Sequence, residues 1–197
     1  MFGRALLAGL CVLAALSPDG VWPNAAPPAA RVAQAQPAAQ AMPIVQPAKS
    51  AADPVPVRLM IPKIGVNATI EARGLDANRT MLTPRDYRDV AWYNLGPMPG
   101  RPGNALLNGH VNWWTGSAVF TRLSELRTGD IVFVVRGDGN RLRFKVTGRS
   151  VVTAGARIAS LFAPSRVATL TLITCTGSWD PSTLSDTHRL LVSAVLV

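Results

Sequence analysis

Short segments of alternating apolar and polar residues, separated by turn residues, fill the chain from Val57 to Val197. In RLRFKVTG, Leu142, Phe144 and Val146 alternate with basic residues, which is the period of a half-buried β-strand. The preceding run, DIVFVVR, is joined to it by GDGN, a sequence typical of a hairpin turn. Repeated short strands of this kind favour a mostly β domain, built as a barrel or a sandwich.

Two stretches depart from the strand pattern and predict short helices. Between Val119 and Leu126 the apolar residues stand three and four apart, as on one helix face, and Ser117 or Thr115 could cap the start. The segment RIASLF predicts a second short helix. We therefore expect one or two short helices beside the strands.

The N-terminal part of the chain differs in composition from this domain. Met1–Arg4 carries one positive charge, Ala5–Leu16 is an apolar run of twelve residues, and Ser17–Gly20 interrupts it. The run has the length of an export-signal core and is short for a membrane span, so residues 1–22 are predicted to be a signal peptide or an uncleaved signal anchor. Residues 23–56 are rich in Pro and Ala and predict a disordered, semi-rigid stalk before the folded domain at 57–197.

This organisation predicts export, with the domain secreted or held at the outer face of the cytoplasmic membrane. The net charge is +9, carried mostly by arginines. These are scattered, without a basic run or a zinc-finger or RNA-binding signature, so nucleic acid is not expected as a partner. Anionic lipid or wall polymer would suit the charge, and so would a plain solvated surface. Two cysteines cannot form a disulfide framework, and together with the two histidines they do not predict the usual four-ligand structural zinc site, so neither a metal nor another cofactor is predicted.

The stretch LTLITCTG ends a strand-like run with Cys175 and breaks at Thr176 and Gly177, which predict the end of the strand. Alternation puts Cys175 on the same strand face as Ile173, and a free cysteine in such a position most often only packs. His110 follows the apolar run NALLN, and Arg189 starts the last strand, fourteen residues after the cysteine. That spacing can bring the chain back antiparallel beside the cysteine strand, with Arg189 near Cys175.

A thiol, an imidazole and a guanidinium form a coherent set for acyl transfer. A nearby cation favours the nucleophilic thiolate, histidine can protonate a leaving amine, and a guanidinium can hold a developing oxyanion. Each of the three residues could also have a purely structural role. The cysteine and the histidine could pack within the fold, and the arginine could be an ordinary surface residue. The second histidine, His188, adjoins Arg189 on one strand and is expected to face away from the site.

These motifs resemble those of sortases, the cysteine transpeptidases of bacterial cell surfaces. LTLITC is similar to the family's cysteine strand, NGHVNWWTGSAVFTRLSELRTGDIVFV to its histidine segment, IPKIGVNATI to its opening strands and HRLLVSA to its arginine-bearing last strand. The three motifs follow in the family's order, His, Cys and Arg. The stretch from GLDANRT to NGHV looks most like the sortases of classes E and F.

The resemblance implies an eight-stranded β-barrel with Cys175 as nucleophile, His110 as general acid and base, and Arg189 as stabiliser of the oxyanion or substrate. It also implies a sorting-signal peptide of the LPxTG type as acyl donor. The acceptor would be an amine, from a peptidoglycan precursor or a pilin lysine.

Three further residues are candidates for substrate binding. Trp113 and Trp114 could wall the peptide groove or pack at the barrel mouth. Thr174 resembles a position at which sortases contact substrate, although its strand propensity alone would explain it. Calcium-dependent sortases carry acidic residues before the cysteine strand, and TAGARIASLFAPSR has none, so calcium is not predicted.

Two rival functions fit part of the pattern. L,D-transpeptidases also use an exported Cys-His-Arg site, but their nucleophile motif resembles Ser-x-Gly-Cys with Arg shortly after, and ITCTGSWD lacks both features. A non-catalytic, sortase-like peptide-binding module is the other alternative, and the intact triad of Cys175, His110 and Arg189 argues against it.

Overall fold

A computed structural model describes residues 54–114 and 116–197, and ten strands lie in this part of the chain. The strands are β1 Pro56–Ile61, β2 Val66–Arg73, β3 Val90–Tyr93, β4 Gly103–Asn108, β5 Asn112–Trp113, β6 Gly116–Ser117, β7 Ile131–Arg136, β8 Arg141–Thr153, β9 Ala168–Asp180 and β10 Ser185–Leu196. The predicted signal segment and nearly all of the predicted stalk fall outside the described residues. Within those residues, no helix has the length and apolar character needed to span a membrane.

Eight of the strands close into a barrel in the order β1-β2-β3-β4-β9-β10-β8-β7, which confirms the expected fold. The pairs β2–β3 and β4–β9 are parallel, and the other barrel pairs are antiparallel. Strands β5 and β6 form a separate two-stranded ribbon directly after β4. Closure pairs the outer edges of the sheet, so the barrel has no open edge along its pairing order.

The core fills the barrel interior with the inward residues of these strands. In β8, Phe144 and Val146 are fully buried while Arg141, Arg143 and Lys145 are exposed, which confirms the predicted alternation. The hairpin predicted at GDGN joins β7 to β8. The largest fully buried side chains are Phe120, Phe144, Leu59, Ile61, Leu106, Leu107, Leu123, Leu126, Leu170 and Leu172.

The helix expected between Val119 and Leu126 is wrong as an α-helix, because only the 3₁₀ turn Leu123–Glu125 forms there. The Val119 and Phe120 N–H groups donate to the carbonyls of Tyr87 and His110, so other segments hold the start of this stretch. Phe120, Leu123 and Leu126 are nevertheless buried, and their spacing of three matches the 3₁₀ period. The second predicted helix is also a 3₁₀ turn, Ala159–Phe162.

Strands β9 and β10 extend further than the sequence suggested. The prediction ended the cysteine strand at Cys175 and began the last strand at Arg189, whereas β9 runs to Asp180 and β10 starts at Ser185. The pairing of β9 with β4 ends at Ile173, so beyond that point β9 pairs with β10 alone. Cys175 therefore lies at the rim of the barrel, at the base of a projecting hairpin.

A β-bulge interrupts this projecting hairpin. Asp186 pairs with Trp179 and His188 with Thr176, so two residues of β9 stand opposite the single residue Thr187. One of the two is Gly177, whose φ is +94°. A Cβ there would lie 2.5 Å from Thr187 Oγ1. The glycine that the sequence suggested as a strand end is therefore a bulge residue that only glycine fits.

The end of β4 is fixed by contacts on both sides of His110. Gly109 donates its N–H to the Ile173 carbonyl (3.1 Å), and its own carbonyl accepts a hydrogen bond from Thr174 Oγ1 (2.8 Å). The His110 carbonyl accepts the Phe120 N–H at 2.9 Å. The histidine backbone is thus tied to the cysteine strand on one side and to the buried Phe120 on the other.

We predict that Gly109→Ala destabilises the fold. The added Cβ would stand 2.6 Å from Val119 Cγ1 and 2.8 Å from Phe120 Cδ2, and overpacking of this kind typically costs about 1–3 kcal/mol. Urea denaturation of the variant should give a correspondingly smaller free energy of unfolding. Gly148→Ala is the matched control, because a Cβ at Gly148 meets no atom within 4 Å. Equal stability of the two variants would contradict the packing argument.

Candidate functional site

Three adjacent strands bring the sequence-predicted triad together. Arg189 of β10 is the direct pairing partner of Cys175 in β9. On the other side of β9, Asn108 at the end of β4 pairs in parallel with Ile173. If that register continues for two more residues, His110 lies beside Cys175. The separation of their backbones is then that of neighbouring strands, about 4.8 Å.

All three residues line one groove of about 910 Å³ across the barrel rim. Ile173 and Leu191 also line it, as the strand alternation predicts for the face that carries Cys175 and Arg189. Further along, the groove is mostly apolar, with the lining residues Met81, Val152, Ile158, Leu161, Phe162, Trp113, Trp114, Trp179 and Leu184. Such a surface suits an extended chain with apolar side chains.

Aromatic rings surround His110. The Trp113 ring lies 5.4 Å from the imidazole, with the two planes at 65°. The Tyr87 ring stacks on the Trp113 ring, with the ring centroids 5.5 Å apart and the planes at 10°, and this contact supports the indole. Trp114 contacts Trp113 edge-on and is itself 89% exposed. Both tryptophans line the groove, and Trp113 is the one that contacts the histidine.

The guanidinium of Arg189 is held by its own hairpin. Its Nη1 donates to the carbonyls of Asp186 (2.8 Å) and His188 (2.9 Å), and its Nη2 donates to Ser185 Oγ (2.8 Å). These bonds use three of the five N–H donors of a guanidinium. The group is therefore oriented before substrate binds and keeps donors for an oxygen in the groove.

The environment of Cys175 opposes ionisation. Burial raises the pKa of the Cys175 thiol, the Arg189 guanidinium lowers it in part, and the Asp186 carboxylate adds to the rise. The largest contribution is burial, because a thiolate loses hydration beside apolar walls. The site thus holds a neutral thiol at neutral pH, with a cation next to it that favours any negative charge created during a reaction.

Thr174 borders the groove, whereas His188 lies outside it. Thr174 is only 3% exposed, and its hydroxyl donates to the Gly109 carbonyl, so it links the cysteine strand to the histidine segment. His188 does not line the groove, and its Nδ1 lies 2.8 Å from Thr187 Oγ1. This agrees with the expectation that His188 faces away from the side that carries Arg189.

Several residues of the site went unnoticed in the sequence. Ser185 orients Arg189, Tyr87 supports Trp113, and Asp186 and Trp179 line the groove. No motif marks these positions, because each depends on the bulged hairpin or on a loop contact. Within residues 54–114 and 116–197, no group of three or more His, Cys, Asp or Glu side chains could hold a metal ion.

Comparisons with known proteins agree with this geometry. Residues 59–197 match the family model for the sortase domain. The structure resembles sortase C-1 from Actinomyces oris, with 27% identity, a TM-score of 0.55 and coverage of 74% of this chain and 76% of that one. It also resembles a lid mutant of sortase A from Corynebacterium diphtheriae, with 24% identity, a TM-score of 0.58 and coverage of 73% and 70%. A comparison with curated protein sequences gives no match. Because the family model spans most of the chain, this protein belongs to the sortases, a family of cysteine transpeptidases.

Proposed function

We propose that this enzyme cleaves an LPxTG-like sorting signal and transfers the released acyl group to an amine at the cell surface. The observation that carries the proposal is the meeting of Cys175, His110 and Arg189 in one apolar groove. The acceptor would be an amine of a peptidoglycan precursor or a pilin lysine. We also propose that the enzyme is exported, either to the outer face of the cytoplasmic membrane or into the medium. Within the family, we place it in class E or F.

In the first half of the reaction, the Cys175 sulfur attacks the carbonyl carbon before the scissile bond. Arg189 donates to the oxygen that becomes negative, and a pre-oriented donor of this kind acts most strongly in a groove from which water is excluded. His110 takes the thiol proton as the sulfur attacks and passes it to the leaving amine, because an amide nitrogen leaves only when protonated. The product is a thioacyl enzyme and a free amine.

In the second half, the acceptor amine attacks the thioacyl carbon. His110, now neutral, takes a proton from the amine, and the sulfur of Cys175 leaves. The same guanidinium serves the second tetrahedral oxyanion, since the reacting carbonyl has not moved. If water attacks instead, the result is hydrolysis, so the enzyme needs a means to favour the amine.

The apolar groove supports a peptide donor with apolar residues near the cut. Val152, Ile158 and Leu161 give the groove an apolar wall, and Val152 is the pairing partner of Arg189. An LPxTG-like signal brings a leucine and a proline to this surface, and proline has no N–H to leave unpaired there. Proline also keeps the peptide extended, which reduces the entropy lost on binding.

The direct test is capture of the thioacyl enzyme. Incubation with peptides carrying Leu-Pro-Xaa-Thr-Gly should add the N-terminal peptide fragment to Cys175, detected by intact-protein and peptide mass spectrometry. Cys175→Ala should abolish both the adduct and peptide cleavage while keeping the circular dichroism spectrum of the fold. Binding of peptide without any adduct or cleavage would favour the non-catalytic module, and cleavage that survives Cys175→Ala would remove the proposed nucleophile.

Arg189→Lys should impair the enzyme almost as much as Arg189→Ala. A lysine keeps the charge but loses the planar fork that the Ser185 hydroxyl and two carbonyls now hold. Loss of one oxyanion donor typically lowers turnover by about 10²–10³-fold, and the loss should appear in kcat at least as much as in KM. The measurement is steady-state cleavage of one donor peptide by both variants. Near wild-type kcat in Arg189→Lys would reduce the role of Arg189 to its charge.

Alkylation of Cys175 by iodoacetamide should depend on pH in the direction that the raised pKa requires. The thiolate is the reactive form, so reactivity should still be increasing at a pH where an ordinary cysteine has reached its plateau. Arg189→Ala should move the profile to higher pH, because it removes the charge that lowers the Cys175 pKa. Arg157→Ala is the matched control, since Arg157 also lines the groove but is not among the charges acting on the thiol. Peptide mapping would follow Cys175 separately from Cys11, and a shift to lower pH in Arg189→Ala would contradict the argument.

A further inference from the structure

The bulged hairpin brings a carboxylate into the groove beside the proposed nucleophile. Asp186 stands three residues before Arg189, a spacing that would separate them on opposite faces of a flat strand. Both nevertheless line the groove. A bulge bends a strand and increases its twist, and the bulge opposite Thr187 lies between these two positions.

The Asp186 carboxylate has no protein partner there. Among residues 54–114 and 116–197, no hydrogen bond involves its side chain and no ion pair within 4 Å reaches it. Arg189, the nearest cation along the strand, donates to the Asp186 backbone carbonyl instead. The chain holds 20 Lys and Arg residues against 11 Asp and Glu residues, so cations are abundant, and yet none in the described part of the chain pairs with this acid.

The Asp186 carboxylate is needed neither to orient Arg189 nor to activate the Cys175 thiol. The contact with Arg189 uses a backbone carbonyl, which any residue at position 186 would supply. The carboxylate raises the pKa of Cys175, so it opposes formation of the attacking thiolate. A negative charge that disfavours the first half of the reaction has its natural use in the second half, where a cation arrives.

We propose that the Asp186 carboxylate binds the ammonium group of the acceptor and thereby selects cationic primary amines over water and over neutral nucleophiles. The inference rests on the proposed transpeptidation and deepens it. An amine acceptor is an ammonium ion in neutral water, and a carboxylate at the groove raises its local concentration beside the thioacyl bond. The apolar walls strengthen that attraction, because they lower the local dielectric.

The step balances with the groups already described. The bound ammonium gives one proton to neutral His110, and the resulting amine attacks the thioacyl carbon. A C–N bond forms and the C–S bond breaks. The second proton lost by the nitrogen goes to the leaving sulfur, so the products are a secondary amide, the Cys175 thiol and a protonated His110. Asp186 keeps its charge throughout and takes no proton.

The test is the partition of the thioacyl enzyme between aminolysis and hydrolysis. The full-length enzyme is given a Leu-Pro-Xaa-Thr-Gly donor peptide with increasing Nα-acetyl-lysine amide as the cationic probe, or hydroxylamine as the neutral one. The slope of the product ratio against probe concentration is measured by mass spectrometry. For Asp186→Asn we expect the slope for the lysine probe to fall about tenfold, the size of one partly exposed charge-assisted hydrogen bond, with less than about a twofold change for hydroxylamine.

Two variants separate charge from structure. Asp186→Glu keeps the carboxylate and should restore most of the preference for the lysine probe. Asp180→Asn is the matched control on the same hairpin, because Asp180 does not line the groove and its side chain bonds Ser182. It should leave both slopes at their wild-type values.

The outcomes distinguish this inference from the proposed function. Equal slopes in wild type and Asp186→Asn would overturn the role of Asp186, and so would an equal fall for both probes. In either case a thioacyl enzyme is still formed, and transpeptidation stands. Absence of any thioacyl adduct on a folded enzyme, with every donor peptide, would overturn the proposed function and this inference together.

Discussion

The site depends on β9 having a different partner on each side. Its parallel pairing with β4 determines the position of His110 along the cysteine strand, and its antiparallel pairing with β10 places Arg189 opposite Cys175. A register slip of one residue would turn Cys175 into the barrel interior. Leu170 and Leu172 prevent that slip, because both are completely buried and would be turned outward by it.

Much of this arrangement could be predicted from the sequence because alternation is a local property. The period of β8 identified which of its residues face the core, the period of β9 grouped Cys175 with Ile173 on one face, and the distance from Cys175 to Arg189 allowed an antiparallel return. The barrel itself required more than periodicity, since the same strand pattern also fits a sandwich. The resemblance of the three motifs to sortases resolved that choice, and the closed strand order confirms it.

The parts that could not be predicted are those set by tertiary contacts. Gly177 looked like a strand end, but the glycine provides the positive φ of a bulge and the hairpin continues to Asp180. The stretch around Phe120 has helical spacing, yet the His110 carbonyl takes the Phe120 N–H that would have started the helix. Asp186 could not be assigned to the groove, because its spacing from Arg189 indicates the wrong face until the bulge is known.

Burial of the thiol has opposite effects on the ground state and on the transition state. In the free enzyme it raises the pKa of Cys175, and the adjacent guanidinium offsets only part of that rise. In the mechanism that we propose, a donor peptide covers the groove, and the same low dielectric then strengthens the attraction between Arg189 and the negative oxygen that forms on the substrate. Catalysis depends on interactions that are stronger in the transition state than before it. On this proposal, a site that keeps its sulfur neutral at rest and its guanidinium fixed by Ser185 directs its electrostatic stabilisation to the oxyanion rather than to the resting thiolate.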